Sequence, residues 1–172
     1  MMGLAPDGGL FVPERIPQAD MALAERLAGE SYAALAGYLA GLFFGGDFDS
    51  QAVQRELDGL YDFPVPLRVV GRGCYTLELF HGPTIAFKDM ALSILPYLMT
   101  TAAKKNQIKN EIVILTATSG DTGKAALAGF ADVPGTRIMV FYPKDGVSPI
   151  QEKQMVTQTG ANTRVIGIHG NF

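Results

Sequence analysis

One lysine, Lys88, stands in an apolar stretch that could support chemistry on a carbonyl compound. It follows a Gly-Pro turn and is flanked by Ile85, Ala86, Phe87 and Met90. Apolar neighbours withdraw an amine from water, and desolvation disfavours its charged form. A neutral amine is able to form a Schiff base with a carbonyl group. The stretch therefore predicts either an imine-forming lysine or an ordinary exposed lysine at a helix start.

A second loop, 116–123, has the sequence TATSGDTG and lies between a predicted buried strand and a predicted helix. Ligands of open α/β sheets bind at the carboxyl ends of the strands, where such loops lie. Gly120 and Gly123 let a ligand approach the backbone, and a helix N-terminus offers unpaired N–H groups to an anion. The loop is equally compatible with a plain strand-to-helix turn.

Both loops follow strands that we expect to belong to one parallel sheet, so both are expected to open at the same edge. A desolvated lysine that faces a glycine- and hydroxyl-rich anion loop suits pyridoxal phosphate chemistry on an amino acid. In such chemistry the cofactor serves as an electron sink. The two loops together therefore predict a site that neither predicts alone.

Other site patterns fit poorly. The phosphate-binding P-loop fails because Thr118 and Ala125 replace its first glycine and its Ser or Thr, and the dinucleotide fingerprint fails at Thr76. Two distant histidines, His81 and His169, and one cysteine lack zinc-ligand spacing, so no metal site is expected. A Ser-His-Asp triad is compatible with the composition, but no nucleophile elbow supports it.

The composition is that of an ordinary globular protein, with 48% hydrophobic and 18% charged residues and a net charge of −3. No basic cluster indicates a nucleic-acid partner. No apolar run approaches the roughly 20 residues of a membrane span, and the start lacks the pattern of a signal peptide. A single cysteine suits a reducing compartment. We therefore expect a cytoplasmic protein.

The order of elements predicts an α/β fold, an open parallel sheet with helices on both faces, preceded by a helical N-terminal segment. We expect residues 1–62 to form a helical collar and residues 63–172 to form part of an α/β region. The strand at 111–116 is a β-branched run typical of burial on both faces. The predicted helices are 22–27, 31–44, 49–60, 89–105, 124–131 and 149–159, and the predicted strands are 67–70, 74–80, 111–116, 137–142 and 163–168.

These stretches resemble a known family. ELFHGPTIAFKD at 78–89 and TATSGDTGKAA at 116–126 are similar to two signatures of the threonine synthase family, which are pyridoxal phosphate enzymes of fold type II, the tryptophan synthase β-like group. APDGGLFVPERIP at 5–17 resembles the N-terminus of that family, and 170–172 resembles its next landmark. The resemblance runs in order along essentially the whole chain, which we expect to be the N-terminal portion of a longer protein.

The resemblance implies that Lys88 carries pyridoxal phosphate through a Schiff base and moves protons at the α and β carbons of the substrate. The family converts O-phospho-L-homoserine and water into L-threonine and phosphate by γ-elimination and β-addition. The family's loop for the cofactor phosphate lies further downstream, so this chain alone is expected to be inactive. The implied substrate contacts are Ser119, Gly120, Asp121, Thr122 and Gly123, of which Asp121 also borders the cofactor, with His81 and Thr84 as further neighbours.

Two alternatives stay open from the sequence. A related phospho-lyase that yields a 2-keto acid would show the same motifs, and a non-catalytic interaction module would keep the sheet without the chemistry. Lys124 is expected to be a solvated lysine at a helix start, and His169 a loop residue without a role. The sequence leaves the oligomeric state open.

Overall fold

The computed structural model describes residues 5–170; residues 1–4 and 171–172, with the start of the chain and most of the 170–172 landmark, lie outside the description. The chain forms two compact units, Met1–Asp62 and Phe63–Phe172. None of the helices within residues 5–170 is long and apolar enough to span a lipid bilayer. The helices are α1 Met21–Ala28, α2 Tyr32–Phe44, α3 Ser50–Leu60, α4 Asp89–Leu92, α5 Leu95–Lys105, α6 Asp121–Phe130 and α7 Pro149–Val156. The strands are β1 Leu67–Gly71, β2 Cys74–Leu77, β3 Ile112–Ala117, β4 Thr136–Pro143 and β5 Thr163–Ile168.

The first unit consists of α1, α2 and α3. Each helix starts at a residue whose side chain accepts a hydrogen bond from a backbone N–H of the first turn, which are Asp20, Ser31 and Asp49. Such caps satisfy N–H groups that have no partner within the helix. The predicted cap at Ser31 and the predicted helix boundaries are confirmed to within a residue or two.

The second unit is built on a parallel sheet with the strand order β3-β4-β5. Its core lies on one face of this sheet, where Ile138 and Val140 of β4 pack with Leu127 and Phe130 of α6 and Met155 of α7. All five side chains are at most 1% exposed. The predicted α/β class with a parallel sheet is confirmed.

The helices of this unit that contribute to the core, α4 to α7, cover the same face of the sheet. Because the strands follow one another in sequential order and crossovers are right-handed, each crossover helix falls on the same side. On the other face, Val113 is 52% and Leu115 is 67% exposed. The expectation that 111–116 is buried on both faces is therefore wrong for the described residues, whose helices form a single layer.

The part of the second unit that precedes the parallel sheet also differs from expectation. β1 and β2 pair with each other as an antiparallel hairpin and form a separate two-stranded sheet. The strand expected at 74–80 ends at Leu77. The helix expected at 89–105 is divided into α4 and α5, and Pro96 lies in the first turn of α5, where its missing N–H costs no hydrogen bond.

Candidate active site

Lys88 immediately precedes α4 and is half-buried. Its Nζ atom lies 4.6 Å from the centroid of the Phe87 ring, within the range of cation–π attraction. Ala86 is buried, but Ile85 is 69% and Phe87 is 58% exposed. The expected apolar enclosure is wrong for these two side chains, because the turns at 83–88 bury alternate residues. The amine is thus reachable by a carbonyl compound.

The carboxylate of Asp89 holds the turn before Lys88. Asp89 is 2% exposed and accepts hydrogen bonds from the Thr84 backbone N–H at 2.9 Å and from the Thr84 hydroxyl at 2.6 Å. Gly82 packs against it, since a Cβ there would lie 2.6 Å from Asp89 Oδ2. Ile85 has a φ of 62°, which is unfavourable for a β-branched residue. The two charge-assisted hydrogen bonds stabilise the turn against this strain.

His81, which directly precedes the Gly-Pro turn, contacts Glu78 and Phe80. Its Nε2 atom lies 2.7 Å from Glu78 Oε2, and its ring packs against Phe80 with the ring centroids 4.6 Å apart. Glu78 Oε1 lies 3.7 Å from Arg68 Nε in β1. These contacts connect the Lys88 turn to the β-hairpin. The sequence does contain a signal for this contact, since Glu78 stands three positions before His81 in the 78–89 motif. The role of Glu78 was missed from the sequence.

The loop after β3 is ordered by Thr118. Thr118 is 5% exposed, and its hydroxyl oxygen accepts hydrogen bonds from the N–H groups of Gly120 and Gly123, each at 3.0 Å. A Cβ on Gly123 would lie 2.8 Å from Val140 Cγ1, so only glycine lets α6 approach β4 this closely. Thr118 therefore closes the loop into the first turn of α6.

The helix after this loop begins earlier than predicted, at Asp121. The first N–H groups of a helix have no partner within it, and that of Gly123 is taken by Thr118. The N–H groups of Asp121 and Thr122 remain at the N-terminus of α6, which favours negative charge. Asp121 Oδ1 accepts a hydrogen bond from Gln151 Nε2 at 2.8 Å, which anchors this side chain to α7.

The two motifs lie at one end of a pair of packed helices. Asp89, the first residue of α4, lies close enough to Lys124 in α6 to raise its pKa. At the other end of α4, a Cβ on Gly129 would clash with the Leu92 carbonyl oxygen. The two helices therefore run side by side in the same direction, so Lys88 and the 119–123 loop lie at the same end. Our expectation of one shared sheet edge is wrong, because β2 belongs to the hairpin; helix packing brings the motifs together.

Lys124 is half-buried, and its Nζ atom donates a hydrogen bond to Gln158 Oε1. Burial lowers the pKa of Lys124, and the Asp89 carboxylate opposes this by raising it. The prediction of a solvated lysine is therefore wrong, since α6 begins three residues earlier than expected and places Lys124 against α4 and the segment after α7. His169 is exposed, as expected of a loop residue.

Gly120 provides the first testable prediction. Its φ of 147° is accessible essentially to glycine alone, and a Cβ there would clash with the Gln151 amide. We expect Gly120→Ala to lower the free energy of unfolding by about 3 kcal/mol, measured by urea titration. Gly135→Ala is the control, because Gly135 has a φ of 77° and nothing near its Cβ position, so it should lose only about 1 kcal/mol. Equal losses would contradict the prediction.

Comparison with known proteins identifies the family of this chain. Residues 1–61 match the family model described as threonine synthase N terminus. The chain is 39% identical to the threonine synthase of Pseudomonas aeruginosa over 178 residues, which cover 100% of this chain and 37% of that relative. The chain belongs to the threonine synthase family. It corresponds to an N-terminal portion of these proteins and spans about 37% of the length of this relative.

The threonine synthase fold is shared as well. The crystal structure of a pyridoxal phosphate-bound threonine synthase from Brucella melitensis matches with a TM-score of 0.88 and 36% identity, covering 98% of this chain and 37% of that one. The human protein named threonine synthase-like 2 is 35% identical over 178 residues, which cover 98% of this chain and 36% of that relative. The predicted membership of this family and of its fold type is confirmed.

Sequence reasoning missed residues that organise this site. Thr118, Asp89 and Gln151 received no role, although each makes a contact that orders one of the two motifs. For Gln151 a signal was present, because Ser148 and Gln151 have the spacing of a capping box, which the structure contains. Its bridge to Asp121 has no such local signal.

Proposed function

We propose that the full-length protein is a pyridoxal phosphate-dependent threonine synthase of the cytoplasm that converts O-phospho-L-homoserine and water into L-threonine and phosphate. In this proposal, residues 1–62 form the N-terminal collar and residues 63–172 form part of the cofactor-binding region. Since the chain spans about 37% of the Pseudomonas relative, we expect the 172-residue chain alone to be inactive.

One geometric observation carries the proposal. An accessible amine, that of Lys88, lies at the same end of two packed helices as the N–H groups of Asp121 and Thr122. A substrate amino acid presents a carboxylate and a reacting α carbon next to each other. Such a substrate would bind with its carboxylate at the N-terminus of α6 and its α carbon towards the lysine.

Lys88 fits the attachment of pyridoxal phosphate, because it offers a primary amine on a half-buried residue that follows the exposed Phe87, on a turn held by Asp89. When bound, the cofactor supplies an electron sink for the α carbon. The amine of Lys88 would then serve as the base that removes the α proton and one β proton of the substrate and later returns the α proton. The γ carbon, which loses phosphate, gains a proton, and water supplies the hydroxyl of the β carbon. Residues for the cofactor phosphate are expected beyond this chain.

The loop residues Ser119, Gly120, Asp121, Thr122 and Gly123 would form the substrate carboxylate site. The N–H groups of Asp121 and Thr122 and the hydroxyls of Ser119 and Thr122 would bind the carboxylate, whereas Gly120 and Gly123, whose N–H groups are donated to Thr118, would let it approach the backbone. Asp121 would also border the cofactor. Thr84 would act indirectly, since its hydroxyl is donated to Asp89, and His81 would act through a ring held by Glu78. Both would therefore support the site rather than contact the carboxylate.

Product analysis tests the proposal. The full-length protein, supplied with pyridoxal phosphate and O-phospho-L-homoserine, should release phosphate and L-threonine in equal amounts, measured by a phosphate assay and by mass spectrometry. Absence of both products would contradict it. A heat-denatured sample serves as the control for spontaneous hydrolysis.

A second candidate is a related phospho-lyase. The observation that favours it is the similarity to threonine synthase-like 2, which is nearly as high as that to threonine synthase itself. This candidate predicts phosphate together with a 2-keto acid in place of threonine. The same product analysis therefore separates the two.

A further inference from the structure

We propose that Gln151 is a positioning residue for the substrate carboxylate site, a role that rests on the proposed function of the 119–123 loop. Gln151 lies in the first turn of α7, which follows β4, whereas the loop follows β3. β3 and β4 are parallel neighbours, so the N-termini of α6 and α7 lie side by side at the carboxyl edge of the sheet. The Gln151 side chain connects these two N-termini.

The orientation of the Gln151 amide is determined by its partners. Its Oε1 atom accepts hydrogen bonds from the Ser148 N–H at 3.2 Å and from the Ser148 hydroxyl at 2.9 Å. Its Nε2 atom must then face Asp121, whose Oδ1 accepts the hydrogen bond at 2.8 Å. The reversed amide would place its NH₂ against the Ser148 N–H, which is also a donor, and its oxygen against a carboxylate, which is unfavourable.

The cap of α7 does not require glutamine. A glutamate at this position completes a capping box equally well. Glutamate would, however, place a second carboxylate against that of Asp121, and like charges at this distance repel. The bridge to Asp121 therefore explains why an amide stands at position 151.

The bridge acts on the part of the loop that would bind the substrate. Gly120 is buried, and the Gln151 amide lies so close over it that a Cβ on Gly120 would clash with the amide. Gln151 also anchors the Asp121 carboxylate on the side of α7. Both contacts fix the backbone from which the N–H groups of Asp121 and Thr122 project.

The test uses the full-length protein and two independent measurements. Gln151→Met keeps the length of the side chain but removes the donor. We expect its KM for O-phospho-L-homoserine to rise about tenfold with kcat within about twofold, because a hydrogen bond to a charged group corresponds to about one power of ten. Hydrogen exchange of the Gly120–Gly123 amides, measured without substrate, should accelerate by a similar factor. Lys153→Ala, which truncates an exposed side chain of α7 away from the bridge, is the control and should change neither quantity by more than about twofold.

A reversed bridge provides the rescue. Gln151→Glu should raise KM more than Gln151→Met, and adding Asp121→Asn should bring KM back to that of Asp121→Asn alone, because the asparagine then donates to the glutamate. The proposal is overturned if Gln151→Met leaves KM and amide exchange unchanged, if only kcat falls, or if the double variant is no better than Gln151→Glu. If the wild type forms neither product, the proposed function fails, and amide exchange alone still decides whether Gln151 orders the loop.

Discussion

Replacing Lys88 by alanine in the full-length protein is expected to lower kcat for phosphate release by at least about a thousandfold. The reason is that the amine would both hold the cofactor and move the protons of the substrate. Lys88→Arg should be as inactive, since a guanidinium keeps the charge but does not form a Schiff base. The fold should persist, because Lys88 is half-buried and its side chain takes no part in the two hydrogen bonds from Thr84 to the Asp89 carboxylate, here called the Asp89 clamp.

Borohydride reduction tests the same prediction without turnover. The wild type treated with pyridoxal phosphate and borohydride should carry the cofactor mass on the peptide that contains Lys88, whereas the alanine variant should not. Lys109→Ala is the matched control, because Lys109 is an exposed lysine before β3 and should change kcat by less than about twofold. If Lys88→Ala keeps a tenth or more of the activity, a non-catalytic role for this lysine is the better interpretation.

Removal of the Asp89 carboxylate is expected to have a large effect on the stability of the protein. Asp89→Ala leaves the Thr84 N–H and hydroxyl without their acceptor in a buried position and withdraws support from the left-handed Ile85. We expect the free energy of unfolding to fall by about 3 kcal/mol. Asp89→Asn keeps one acceptor oxygen and should lose about half as much.

Urea unfolding of the full-length protein measures this effect. Asp145→Ala removes an exposed aspartate from a turn of the same unit and should stay within about 0.5 kcal/mol of the wild type. Thr84→Val removes only the hydroxyl, so its loss of unfolding free energy should lie between those of Asp145→Ala and Asp89→Ala. A loss below about 0.5 kcal/mol for Asp89→Ala would show that the clamp does not hold the turn.

Several features could be predicted from the sequence because their causes are local. The capping residues Ser31 and Ser148 mark helix starts by hydrogen bonds that span three residues. The β-branched runs of β3 and β5 and the glycines of the 119–123 loop likewise depend on neighbours in the chain. The family resemblance added a role for Lys88, which remains a proposal.

The tertiary structure decided how the parts meet. Strand pairing placed β1 and β2 in a hairpin, so Lys88 does not follow a strand of the parallel sheet. The packing of α4 along α6 brings Lys88 to the loop instead. Sequential strand order left Val113 and Leu115 exposed where burial was expected.

The sequence by itself thus determined the helices, the strands and the two chemical motifs of this threonine synthase family member. Only the tertiary structure determined the common end of α4 and α6, the clamp of Asp89 and the bridge from Gln151 to Asp121. The physical reason is the distance along the chain between the residues that interact. A cap or a turn depends on residues a few positions apart, whereas the bridge joins residues 30 positions apart, whose contact depends on how the whole sheet packs.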